Sequence, residues 1–116
     1  YCPMIDARRM EVYTALYDNS TLNPLTKVTA QVIDEQSFAE ELKANKIYYF
    51  GNGADKCLSI ITSPNAKFIP NIVPQASFMG LLAEKAATLD VKQMAYYEPF
   101  YLKDFVPAPS HIKGLK

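Results

Sequence analysis

Few residues in this chain could carry chemistry, and their spacing says what kind. Gly51-Asn52-Gly53 follows the apolar run Ile47-Tyr48-Tyr49-Phe50 and is the one phosphate-loop candidate. It lacks the Lys-Ser/Thr pair of a P-loop, and a tight strand-to-helix turn accounts for its glycines more simply. His111 is the single histidine and lies in the C-terminal tail. Hydrolysis by a Cys57–His111 or serine–histidine pair would need that tail folded back into a cleft. A histidine-paired metalloprotease site is excluded by count. Cys2 and Cys57 make no disulfide framework and have no zinc-ligand spacing. Cys57 falls on the apolar face of a short helix, where a buried thiol is the simpler account. Asp34-Glu35 sits at a helix start, and Glu40-Glu41 is expected on an exposed face.

Asp6-Ala7-Arg8-Arg9 links two strand-like segments. A nucleotide cradle at such a corner needs glycines so that backbone amides can approach phosphate, and none is present. Asp6 is expected to cap the turn or pair with an arginine. One of Arg8 and Arg9 is expected to clamp Glu11 or Glu98 while the other faces solvent or a partner. A third group is aromatic: Tyr96, Tyr97, Phe100, Tyr101 and Phe105. These residues either staple a C-terminal arm to the core or form a protein interface, where such side chains are enriched.

The elements that must position these groups follow from periodicity. Met10, Val12, Thr14 and Leu16 alternate with Glu11, Tyr13, Ala15 and Tyr17, so residues 3–17 form an antiparallel hairpin. A third strand spans about residues 25–34, with Val28, Ala30 and Val32 on one face. Ser37-Phe38-Ala39-Glu40 reads as a capping box opening a helix anchored by Phe38 and Leu42. That helix stops near Asn45, a residue tolerant of the left-handed conformation. A buried strand at residues 47–50 precedes a short helix with Ala54, Cys57, Leu58 and Ile61 on its apolar side. Lys67-Phe68-Ile69 is a fifth strand. The strongest helix starts near Pro74 and carries Phe78, Met79, Leu82, Ala83, Ala86 and Leu89 as its stripe. Gly80 inside it marks a place where another backbone packs close. Residues 94–105 read as an extended arm across the domain, and residues 107–116 as a loose tail.

This order, βββαβαβα, predicts an α/β fold with a mixed five-stranded sheet: the ribonuclease H-like class, which includes the lobes of actin-like ATPases. At 116 residues the chain is one domain, with a core at residues 1–93 and the arm and tail at 94–116. Apolar residues make up 49% and charged residues 21%, within the ordinary range for a soluble globular protein. The formal net charge is zero, so no strong direct grip on nucleic acid is expected. No apolar run has the length of a membrane span, and a cytoplasmic protein is expected. The chain opens on Tyr1 and runs almost at once into a strand, which suggests that it begins in the middle of a longer protein.

Three stretches together resemble one family. Met4–Tyr17, carrying Ile5-Asp6-Ala7-Arg8 and Glu11-Val12-Tyr13, then Tyr48–Gly53, ending Gly51-Asn52-Gly53, then Glu98–Phe105, opening Glu98-Pro99-Phe100-Tyr101-Leu102, are similar in order and separation to the C-terminal half of the bacterial TsaB (YeaZ) family. The resemblance spans nearly the whole chain. It implies a non-catalytic activator of the machinery that makes threonylcarbamoyladenosine on tRNA. The implied partners are a TsaD-like catalytic subunit and a TsaE-like ATPase, with the main TsaD contact made by an N-terminal lobe. No cofactor or metal of its own is implied. The older glycoprotease label of the family leaves a small hydrolase as the alternative function. A nucleotide-binding lobe using Gly51 and Gly53 is a third. Uncovered apolar surface on an isolated lobe also predicts self-association.

Overall fold

One five-stranded mixed sheet organises the computed structural model, which describes residues 1–86, 88 and 90–104. The strands are β1 (Cys2–Asp6), β2 (Glu11–Thr14), β3 (Thr29–Val32), β4 (Ile47–Phe50) and β5 (Ala66–Phe68). Their spatial order is β3-β2-β1-β4-β5. β2 pairs antiparallel with both β1 and β3, while β1–β4 and β4–β5 are parallel. β2 alone therefore runs against the other four. Helix α1 (Ala39–Ala44) joins β3 to β4, and a 3-10 turn at Asp55–Cys57 joins β4 to β5. A second 3-10 turn at Ala76–Phe78 leads into α2 (Met79–Lys85), and α3 (Val91–Ala95) follows. The α/β class and the five-stranded mixed sheet are as the periodicity predicts.

The two faces of the sheet differ. Register places Cys2, Met4, Val12, Ile47 and Tyr49 on one side, all buried. Leu42 from α1, and Ala54, Cys57 and Ile61 around the 3-10 turn, close over them. Phe38 meets Tyr49 edge-on at 5.5 Å between ring centroids, and Phe68 stacks on Tyr49 at 5.0 Å. Each such side chain contributes about 1.5–3 kcal/mol on full burial. The opposite face carries Ile5, Val32 and Tyr48, which remain exposed.

Register also explains a difference at β3. Val28, Ala30 and Val32 share a face as predicted, but it is the open one, because Ala30 lies opposite Tyr13 and Val32 opposite Glu11. A one-residue offset decides which face a strand buries. The core contribution of this segment is Ile33, just past the strand end and 3% exposed. Strand pairing covers only residues 29–32 of the predicted 25–34.

The capping box does not form. Ser37 Oγ instead accepts from the Asp34 amide at 2.9 Å and donates to Asp34 Oδ1 at 3.1 Å. Phe38 precedes α1 in the left-handed region at φ 63°, with no side-chain cap. Its contact with Tyr49 holds it there, so packing outweighs a cap contributing about 1 kcal/mol. The helix stops at Asn45 as expected, but that residue is extended, at φ −136°. Asn65 Nδ2 supplies a second stop by donating to the Leu42 carbonyl at 2.8 Å. Around Cys57, three of the four predicted apolar positions are buried; Leu58 points outward.

Beyond β5 the prediction fares worse. α2 starts at Met79, later than Pro74, and Phe78, Met79 and Leu82 are exposed. Nothing lies within 4 Å of a Cβ built on Gly80, so no backbone packs there. Leu89 of the predicted stripe falls outside the described residues. Met94 and Ala95 belong to α3, whose N-terminus is capped by Asp90 Oδ1 accepting from the Gln93 amide at 2.7 Å. The extended arm thus begins later than the sequence suggests.

Candidate interaction site

β1 and β2 meet at a corner built on Asp6. The Asp6 carboxylate accepts from the Arg8 amide at 3.0 Å, the turn cap expected of it. Its charged partner is Lys56, not an arginine. Lys56 Nζ also donates to the Glu11 carbonyl at 2.6 Å, so one side chain ties both strands of the hairpin. Lys56 carried no signal in the sequence: it is a lone cation in a short turn, 50 residues away from Asp6. The Lys56 hydrogen bond, then the Arg8 amide, holds the Asp6 carboxyl below its ordinary range.

Arg8 and Arg9 form the tip. Both have positive φ, 73° and 49°, in a region where glycine or asparagine is usual. Their side chains are exposed, and among the described residues neither guanidinium pairs with a carboxylate. The expected clamp on Glu11 is replaced by Lys103, whose ammonium reaches Glu11 Oε2 at 2.7 Å.

Gly51-Asn52-Gly53 sits beneath this corner, at the carboxyl end of β4. In parallel sheets that end is where ligands bind. Here the β1 backbone takes up one donor of the turn, the Gly53 amide, and the space beside it. The Gly53 amide donates to the Met4 carbonyl at 2.9 Å. Asn52 Oδ1 accepts from the Asp6 amide at 2.9 Å. A Cβ on Gly53 would meet the Asp6 nitrogen and the Ile5 carbonyl carbon at 2.9 Å each. Gly51 has φ 101°, and a Cβ on it would strike the Met4 carbonyl oxygen. Gly51 at positive φ fits the tight turn after β4, and both glycines also allow close backbone approach to β1, which the sequence did not signal.

Tyr96, Tyr97, Phe100 and Tyr101 are 79–84% exposed. They do not staple the segment to the core. Lys103 brings the chain back to β2 through Glu11, leaving these four rings on the surface between α3 and that tie. Phe105 and His111 lie outside the described residues, as does the 107–116 tail.

Other chemistry is sparse. Among the described residues no cluster of three or more His, Cys, Asp or Glu side chains could hold a metal ion. Cys2 and Cys57 are free and buried. Burial pushes the Cys2 thiol up to about 11 and raises Cys57 as well, which makes both poor nucleophiles. A cleft of about 490 Å³ is lined by Tyr1, Leu16, Tyr17, Leu25, Ile47 and Tyr48, among others. It lies at the amino ends of β1 and β4, opposite the Gly51–Gly53 turn. No described helix is long and apolar enough to cross a membrane. Compared with models of protein families, with curated proteins and with solved structures, the chain matches none.

Proposed function

We propose that this chain is a non-catalytic scaffold lobe: the C-terminal half of a TsaB-like activator in the complex that makes threonylcarbamoyladenosine on tRNA. The reading rests first on the plugged crevice beside β1. A lobe that held nucleotide would keep the amides after β4 free for phosphate. Here the Gly53 amide donates to the Met4 carbonyl, and Gly51 and Gly53 lie too close to the β1 backbone for a phosphate to enter between them. The sheet order, with β2 alone reversed, supports a ribonuclease H-like assignment. The three motif stretches behind the family resemblance fall on the hairpin, on the turn beneath it and on the segment tied to Glu11. The exposed aromatic group, with Arg8 and Arg9, offers a surface for a protein partner rather than for a substrate.

The test is reconstitution. A protein containing this lobe is added to TsaD-like and TsaE-like subunits with tRNA, and threonylcarbamoyl transfer is measured. Stimulation is expected, and its absence counts against the reading. Calorimetric titration with ATP and with ADP is expected to give no heat of binding. A clear isotherm would instead favour a nucleotide-binding lobe.

A further inference from the structure

The corner between β1 and β2 carries an excess of positive charge. Two of its cations are matched within the chain, Lys56 by Asp6 and Lys103 by Glu11. Arg8 and Arg9 are exposed, and among the described residues neither meets a carboxylate. The formal charge of the whole chain is zero, so the excess is local. The backbone at the tip is strained as well. Arg8 at φ 73° and Arg9 at φ 49° hold a conformation that asparagine and glycine adopt more readily. Residues held in this way cluster where the side chain has a task beyond the fold.

A second chemistry lies beside the tip. Lys103 fixes the C-terminal segment to Glu11, two residues after Arg9. Leu102 is half-buried there, and it alone among the described residues from 73 to 104 is not exposed. Phe100 and Tyr101, just before it, are open to solvent. At no more than about 3.6 Å per residue, their backbones lie within about 11 Å of that of Lys103. One side of a standard interface is about 30 Å across, wide enough to take in the arginine tip and both rings. Arginine and aromatic side chains together are enriched at interface centres.

From this juxtaposition we propose that Arg8, Arg9, Phe100 and Tyr101 form one docking surface for an acidic segment of a protein partner. The guanidiniums take its carboxylates, and the rings cover its apolar side chains. The inference rests on the scaffold reading given above and names the chemistry of the partner. Lys103 and Glu11 are positioning residues, because their pairing joins parts of the surface that stand far apart in sequence. An RNA backbone is the poorer occupant. Phosphates are held by rows of cations, and at this corner only two are left unmatched.

The test is binding of the 116-residue chain to an array of short random peptides. The bound set should be rich in Asp and Glu, together with Leu or Phe. Arg8→Glu with Arg9→Glu should invert that charge preference. Lys103→Ala leaves both arginines in place, yet it should weaken the selected peptides by about fivefold with no change in circular dichroism, and Lys103→Arg should restore them. Arg8→Asn with Arg9→Gly suits the left-handed backbone, so it should raise the urea midpoint while abolishing the acidic preference. The inference is overturned by a bound set that is empty or without acidic bias, or by a bias that survives Arg8→Glu with Arg9→Glu. It is equally overturned if Lys103→Ala binds as before, if Arg8→Asn with Arg9→Gly lowers the midpoint, or if a short polyuridylate binds more tightly than the selected peptides. The array needs no transferase. A positive array with a failed reconstitution removes the proposed function and keeps the surface; the opposite pair of results removes the surface alone.

Discussion

Gly53 and Gly80 make a matched pair of tests at the scale of single residues. A methyl group on Gly53 would press on the Ile5–Asp6 backbone, which cannot move without disturbing the central strand. Gly53→Ala should cost about 1–3 kcal/mol, read as a lower midpoint in urea denaturation. Gly80→Ala meets open space inside a helix and should be neutral or stabilise by up to about 1 kcal/mol. Equal effects at the two sites would refute the account of the Gly51–Gly53 turn. Tyr49 is a third case. Its ring is fully buried, and its hydroxyl has no hydrogen-bond partner among the described residues. Tyr49→Phe should therefore leave thermal stability unchanged or raise it, since the buried oxygen gains little from the fold.

Two titrating groups act in opposite pH ranges. The Asp6 carboxyl is depressed by Lys56 and the Arg8 amide, so its contribution is present above its ordinary value of 3.8. That contribution is lost as pH falls further, through the lowered folded value. Asp6→Asn should flatten the acid limb of a stability–pH curve. Cys2 is raised from 9.0 to about 11, so its neutral thiol stabilises the fold fully below pH 9.0. That contribution disappears as pH rises towards about 11, a loss of about 2–3 kcal/mol. Cys2→Ser should show a smaller alkaline decline, the rest coming from Cys57, whose thiol is also raised by burial. In native protein a thiol reagent should label neither cysteine until denaturant is added.

Among the elements, β1, β2 and β4 were the most legible in the sequence. β2 alternates strictly, with Val12 and Thr14 buried on one face, while β4 was legible as an apolar run bounded by glycines, with Ile47 and Tyr49 buried. β3 was legible as a strand but not in its orientation, because Val28, Ala30 and Val32 look like a core stripe until register assigns them to the open face. The start of α1 was misread because a local cap signal at Ser37 competes with a long-range aromatic contact of Phe38, and only the first is visible in a short window. Helical propensity placed α2 approximately, yet periodicity does not say what a stripe packs against. Of the candidate site, the Asp6 turn cap and the structural use of Gly51 and Gly53 could be read from residue types. The tie to Lys56 and that between Lys103 and Glu11 could not, because they span 50 and 92 residues. The latter is a surface pair, and Lys103→Ala should leave the denaturation midpoint nearly unchanged.

For the whole molecule, the governing fact is that β1 lies at the centre of the sheet. It is hydrogen-bonded to β2, its neighbour in sequence, and to β4, more than forty residues away. The antiparallel half assembles from nearby segments; the parallel half must wait for a distant one. On a ribosome the β1–β2–β3 meander would emerge with β1 still offering the edge that β4 later covers. That edge is a template for wrong pairing until β4 and its glycine turn arrive. The turn then works as a latch, and mutations in it should act mainly on how fast the folded chain reopens. Stopped-flow traces of Gly53→Ala should show faster unfolding with a nearly unchanged refolding rate, and its nascent chains should aggregate more readily than those of Gly80→Ala.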